Sequence, residues 1–176
     1  MRFVDFLRAT VLLSAAAATT LGVLTLAAAT RNGDDQVVLY SIAWWVLATF
    51  IGTFIGRRNE VNPPIARLLA DAKAAAMMPD VRPGTTMVNR LWPLLVCAVA
   101  AGSLAVVGPQ IPGIATGFML IWALAWRRQE SAVTAIEERD GVSFFVERTS
   151  PVRPMQLIRL PGLRRERPTI NGTEVT

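Results

Sequence analysis

The sequence predicts an all-α membrane protein: four transmembrane helices arranged as two hairpins, with a cytoplasmic amphipathic helix and a short extended or β-hairpin C-terminal tail. Three observations carry this prediction. Of the 176 residues, 52% are hydrophobic and 18% charged, and the apolar residues gather into long blocks instead of alternating with polar ones. The blocks are long enough to cross a hydrocarbon core of roughly 30 Å, which takes about 20 helical residues. The basic residues stand at the ends of these blocks. The formal charge is +5, but there is no basic stripe with interleaved aromatics such as a nucleic-acid-binding domain presents, so nucleic acid is not an expected partner.

The first uncharged block runs from Ala9 to Thr30 behind Arg2 and Arg8, and predicts a span over about 9–30. A secretory signal has an apolar region of about 7–15 residues, shorter than this one, so a retained anchor is expected. The second block, Gln36 to Gly56, predicts a span over about 36–56. The third runs from Leu91 to Trp126, and as one helix would be about 54 Å long at 1.5 Å per residue. Gly108-Pro109-Gln110-Ile111-Pro112-Gly113 breaks it into spans of about 91–107 and 111–126, because two prolines and two glycines disfavour a continuous helix. These two are short for spans, so a re-entrant hairpin is the alternative; a non-helical turn inside hydrocarbon needs shielding that nothing in the chain supplies. The transmembrane domain then covers 1–126, with a loop over 57–90, and a basic tail covers 127–176.

Orientation follows from charge. With four spans, all but Arg31 of the 18 Lys and Arg residues share one side, and the positive-inside rule puts both termini, the loop and the tail in the cytoplasm of a multi-pass plasma-membrane protein. Trp92 and Trp126 fall where interfacial anchors belong.

In the loop, Asn62-Pro63 reads as an N-cap followed by proline at the first helical position. Ile65, Leu68, Leu69, Ala72 and Ala76 then share one face, extended by Met77 and Met78 up to Pro79. Such a helix lies on the membrane surface or packs on the protein itself. Beyond Trp126 the fourth helix is expected to continue through Arg139 and stop at Asp140-Gly141, where glycine suits a left-handed cap. Val142 to Val146 reads as extended, with Met155 to Leu160 as a second strand. A weak repeat links the two hairpins: Arg57-Arg58-Asn59-Glu60 ends the second span and Arg127-Arg128-Gln129-Glu130 the fourth. Topology alone often places Arg-Arg at such ends.

Small residues recur at helical spacing in each span: Ala18 and Gly22, Gly52 and Gly56, Ala98 and Gly102, Gly113 and Gly117. Such faces let helices approach closely. Gly52, Gly56, Gly113 and Gly117, with the deep pair Trp44 and Trp45, are therefore candidate residues for helix packing or a partner interface. Arg57, Arg58, Arg127, Arg128, Arg153, Arg159, Arg164, Arg165 and Arg167 are candidates for anionic lipid head groups, the bland alternative being topological ballast. With no histidine and a single cysteine, Cys97, the usual general base and metal ligands are missing. No nucleophile elbow, phosphate loop or zinc motif is present. Glu137-Glu138-Arg139-Asp140 reads as a solvated helix end, and Asp34 with Asp35 offers too few ligands for a metal. Neither catalysis nor a cofactor is expected. The predicted spans hold no Asp, Glu, Lys, Arg or His, which argues against an ion pathway. A stand-alone transporter or lipid-handling protein would need a polar cavity built from Thr19, Thr20, Thr25, Ser41, Thr49, Thr53, Ser103 and Thr116.

The opening from Phe3 to Thr10, its Ala-rich first helix, and the tail from Glu138 to Pro154 resemble small actinobacterial transmembrane proteins, one group of which is similar to accessory subunits of Mce-type lipid importers. The resemblance implies a non-catalytic subunit beside a permease, with an ATPase and lipid-binding proteins supplied by other chains. It carries no site residues. A stabilising subunit of a larger membrane complex is thus the expected function, with membrane lipids and other integral subunits as partners, and a stand-alone transporter is the alternative.

Overall fold

The computed structural model describes residues 1–57, 60–75, 83–147 and 155–161. Helix α1 (Phe3–Asn32) and α2 (Asp35–Ile55) form the first hairpin. Gly33, at φ 65°, supplies the left-handed residue that ends α1, and Asp34 caps α2 by accepting from the Val37 N–H. After α3 (Pro63–Ala70) and the two-residue strand β1 (Lys73–Ala74), α4 (Pro83–Ser103) runs through a 3-10 turn (Leu104–Val106) into α5 (Gln110–Trp126). Helix α6 (Gln129–Asp140) and strands β2 (Val142–Val146) and β3 (Leu157–Pro161) complete the fold.

Three helical stretches are long and apolar enough to cross a membrane: Phe3–Asn32, Asp35–Ile55 and Met87–Val106. Helix α5 has 17 residues, including Pro112 near its start.

The helices interlock. Helix α5 packs along both α1 and α2, while α1 and α2 touch each other little, and α4 rests mainly on α1. The order across the bundle is therefore α2, α5, α1, α4, with each hairpin opened to admit a helix of the other. Directions follow from contacts: Gly113 lies against Thr25 and Ser41, whereas Gly52 and Gly56 lie against Leu124. Hence α5 runs parallel to α2 and antiparallel to α1. In α4, Leu91 joins the core at the start of α1, and Gly102 faces Leu21 and Leu24. The α4–α5 turn thus reaches the level of the α1–α2 turn, with Gln110 beside Val37 and Tyr40.

At the opposite, basal end of the bundle sits the main apolar core. Phe3, Phe6 and Leu7 of α1 bury against Ile65 of α3, Val133 of α6, and Val142, Phe144, Val146 and Leu157 of the sheet. The sheet has the order β1-β3-β2: β1 is parallel to β3, and β2 is antiparallel to β3 with Phe145 opposite Ile158. The chain start adds to the free edge of β2, through an antiparallel bridge from Arg2 to Phe145 and a Val146 N–H donating to the Met1 carbonyl at 3.1 Å.

Several expectations are corrected. The helix that contains the expected first span over 9–30 starts ahead of it, at Phe3, because Phe3, Phe6 and Leu7 are core residues that keep the helix wound through Asp5 and Arg8. The helix after Pro63 ends at Ala70, since the chain turns at Asp71 to pair as β1 with β3, a long-range partner that local periodicity does not contain. It packs on the protein: Ile65 is 2% exposed. Ala76, Met77, Met78 and Pro79 lie outside the described residues. The fourth helix does not run on to Arg139, because a turn at Arg127 and Arg128 separates α5 from α6. The stop at Gly141, φ 61°, is as expected. The final strand lies at Leu157–Pro161, slightly later than the expected Met155 to Leu160.

Candidate functional site

The six candidate packing residues meet on one seam. Trp44 and Trp45 point from α2 to α5, where their indole N–H groups donate to the Ile114 carbonyl at 3.1 Å and the Gly113 carbonyl at 2.8 Å. An indole N–H inside an apolar bundle needs such an acceptor. The ring of Trp44 meets Phe118 edge-on at 5.6 Å. Each glycine marks a place where a β-carbon does not fit. At Gly113 it would come within 2.7 Å of Ser41 Oγ and 3.1 Å of Thr25 Cγ2; at Gly117 it would overlap the Trp44 ring. At Gly52 it would approach the Leu124 Cβ at 2.9 Å, and at Gly56 it would overlap the Leu124 carbonyl oxygen. The Gly52 and Gly56 groove is therefore filled by α5.

The candidate polar cavity does not assemble. The hydroxyls of Thr19, Thr20, Thr25, Thr49 and Thr116 donate to the carbonyl four residues earlier on their own helices. Thr25, Ser41 and Thr116 are buried at the tight crossing around Gly113, whereas Thr19 and Thr49 are exposed and Thr20 and Ser103 lie in a mainly apolar cleft between α1 and α4. Among the described residues, no group of three His, Cys, Asp or Glu side chains could hold a metal ion.

The two repeated motifs, far apart in sequence, meet at the basal end. Because α2 and α5 are parallel neighbours, their last turns emerge side by side, and Arg128 Nη1 donates to the Arg57 carbonyl at 3.1 Å. Gln129, 2% exposed, knits the two together. Its Oε1 accepts from the Asn62 N–H at 2.9 Å and its Nε2 donates to the Glu60 carbonyl at 3.4 Å. One buried amide thus satisfies the backbone leading into α3, and Asn62 makes no side-chain cap of its own. Arg57 and Arg127 are exposed and take part in no ion pair among the described residues. Trp122 and Trp126 stack above them at 5.5 Å. Arg159 lies elsewhere, exposed on β3. Arg58, Arg153, Arg164, Arg165 and Arg167 lie outside the described residues.

The acidic run at the end of α6 divides. Glu137 is not solvated: 5% exposed, it takes the Arg2 guanidinium at 2.6 Å and the Phe144 N–H at 2.8 Å. It fastens the chain start to β2. Asp140 is exposed, and its hydrogen bond from Arg139 at 2.8 Å holds its carboxyl below the ordinary value. Sequence reading missed Gln129 and Glu137, because a polar residue beside a helix end normally faces water and only the tertiary fold turns these two inward.

No protein-family model, no curated protein and no solved structure matches the chain.

Proposed function

We propose that this chain is a non-catalytic, four-span membrane protein that acts by contact, as a stabilising subunit of a larger membrane complex in the plasma membrane. The observation that carries the reading is the interlocked bundle. Its buried hydroxyls are crowded against glycines, Thr25 and Thr116 are bonded within their own helices, and among the described residues the cleft between α1 and α4 is lined mainly by Leu, Ala and Val side chains. Meanwhile the outer faces of α2 and α4 remain apolar, with Phe50 71%, Phe54 74% and Val99 68% exposed. Apolar faces without an internal path suit a protein whose work is packing against lipid and other helices.

The fourth span is supported by the length of α5 alongside α2 and by the shared level of the two hairpin turns, which leaves little room for a re-entrant dip. The basal end, carrying Arg57, Arg127 and Arg128, is the cytoplasmic one. The resemblance suggests an Mce-type lipid importer as the complex served. A stand-alone transporter gains no support from the dispersed hydroxyls. The test is purification of the full chain from its native membrane in a mild detergent, with identification of co-purifying chains. Stoichiometric recovery of an integral membrane partner is expected, and recovery of this chain alone under several mild detergents overturns the subunit reading.

A further inference from the structure

One face of α2 carries a feature that helix packing uses only at Trp45, whose indole reaches across to α5. Ile42, Trp45, Val46, Thr49, Phe50 and Thr53 line a shallow apolar groove of about 380 Å³. Their spacing places them along one face of the helix, with the small Thr49 and Thr53 between the larger Trp45, Val46 and Phe50. From Ile42 to Thr53 the groove is roughly 17 Å long at 1.5 Å per residue, close to the roughly 15 Å of a single bilayer leaflet. Arg57 stands one helical turn beyond Thr53, and Arg128 is tied to its carbonyl. Arg127 follows directly on α5, next in sequence to Arg128, and no ion pair among the described residues neutralises Arg57 or Arg127.

We infer that this face of α2 is a binding site for one anionic glycerophospholipid of the cytoplasmic leaflet, its phosphate held by Arg57 and Arg127 and an acyl chain laid along the groove. The inference rests on the membrane reading above. Charge and length choose the occupant. A guanidinium matches a phosphate with two parallel hydrogen bonds, and the groove below it offers hydrocarbon contact over one leaflet and no further. A partner helix would find no carboxylate-seeking pattern in the groove itself, only at its end.

The experiment uses the full chain in nanodiscs of phosphatidylcholine containing phosphatidylglycerol, with retained lipids counted by native mass spectrometry after transfer to detergent. Wild type should keep phosphatidylglycerol in preference to phosphatidylcholine. The double variant Arg57→Gln with Arg127→Gln should weaken that retention roughly thirtyfold at low salt, from about one unit of surface attraction per basic residue. A second variant, Thr49→Leu with Thr53→Leu, raises the groove floor without touching charge, and should also reduce retention. Arg67→Gln, on exposed α3, should change nothing. Retention that ignores both double variants overturns the site. Loss in the arginine variant alone, with inorganic phosphate displacing the lipid, shows a small-anion site and overturns the lipid assignment. Failure to recover a protein partner leaves these readouts untouched, so the two readings fail separately.

Discussion

Glu137 shows what a single residue does in this fold. Its carboxylate is buried, receives a charged donor from Arg2 and a backbone donor from Phe144, and so joins the first turn of the chain to the sheet near its end. Removing it orphans the Phe144 N–H and leaves Arg2 unpaired. Glu137→Ala should therefore destabilise the basal domain by about 1–3 kcal/mol for the lost buried acceptor. Arg2→Ala should also destabilise it, since the buried Glu137 carboxylate then keeps only the Phe144 N–H. Hydrogen exchange at the Val146 amide, bonded to Met1, is the readout; unchanged exchange in Glu137→Ala would remove the clamp from the account. The glycines give an equally sharp contrast. Gly56→Ala forces a methyl into the Leu124 backbone, and overpacking of that kind costs about 1–3 kcal/mol. Gly22→Ala places its methyl at an ordinary 3.6 Å from the Trp45 ring and should leave the melting temperature nearly unchanged.

At the scale of elements, α5 decides the bundle. Replacing Gly52 and Gly56 together by Leu fills the seam that α5 occupies, so abundance and thermal stability should fall together, and any partner should vanish only in proportion. Loss of a partner at full stability would mean that an outside helix uses this face instead. The apolar elements were legible in the sequence because their lengths are set by a rule that needs no tertiary knowledge: uncharged runs of membrane length, broken at Gly108-Pro109. Their ends were less legible. Where α1 starts, where α3 stops and where α5 breaks from α6 is decided by Phe3, by β1 pairing with β3, and by Gln129 turning inward, all of them contacts distant in sequence. The same holds for the site. The arginine pairs were visible as motifs, but that Arg128 reaches the Arg57 carbonyl required knowing that α2 and α5 are parallel neighbours.

For the whole molecule, the four-span reading predicts accessibility. With Cys97 replaced, single cysteines at Asp34 and Gln110 should react with an impermeant reagent in intact cells, and one at Thr169 should not. Reaction at Thr169 would overturn the orientation, and silence at Gln110 alone would indicate a re-entrant hairpin. The basal domain adds a packing reason for the chain start and the tail to share one side. Phe3, Phe6 and Leu7 can complete the core only if the chain start and the tail lie on the same side, and Phe3→Ala should loosen the tail to protease, at a cost of about 3–5 kcal/mol.

The interlocked order of helices has a consequence for biosynthesis. When α1 and α2 have left the ribosome, the slot between them is still empty, since its occupant is translated only after the loop and α4. On the membrane reading, the first hairpin must therefore wait with Trp44, Trp45 and Gly52 uncovered by α5, and its final packing is a late event. Co-expressing the chain as two pieces divided between Ala75 and Pro83 should then still yield an assembled protein, because the slot is built from α1 and α2 and filled by α5. The first piece made alone should be short-lived, degraded while its seam stands open.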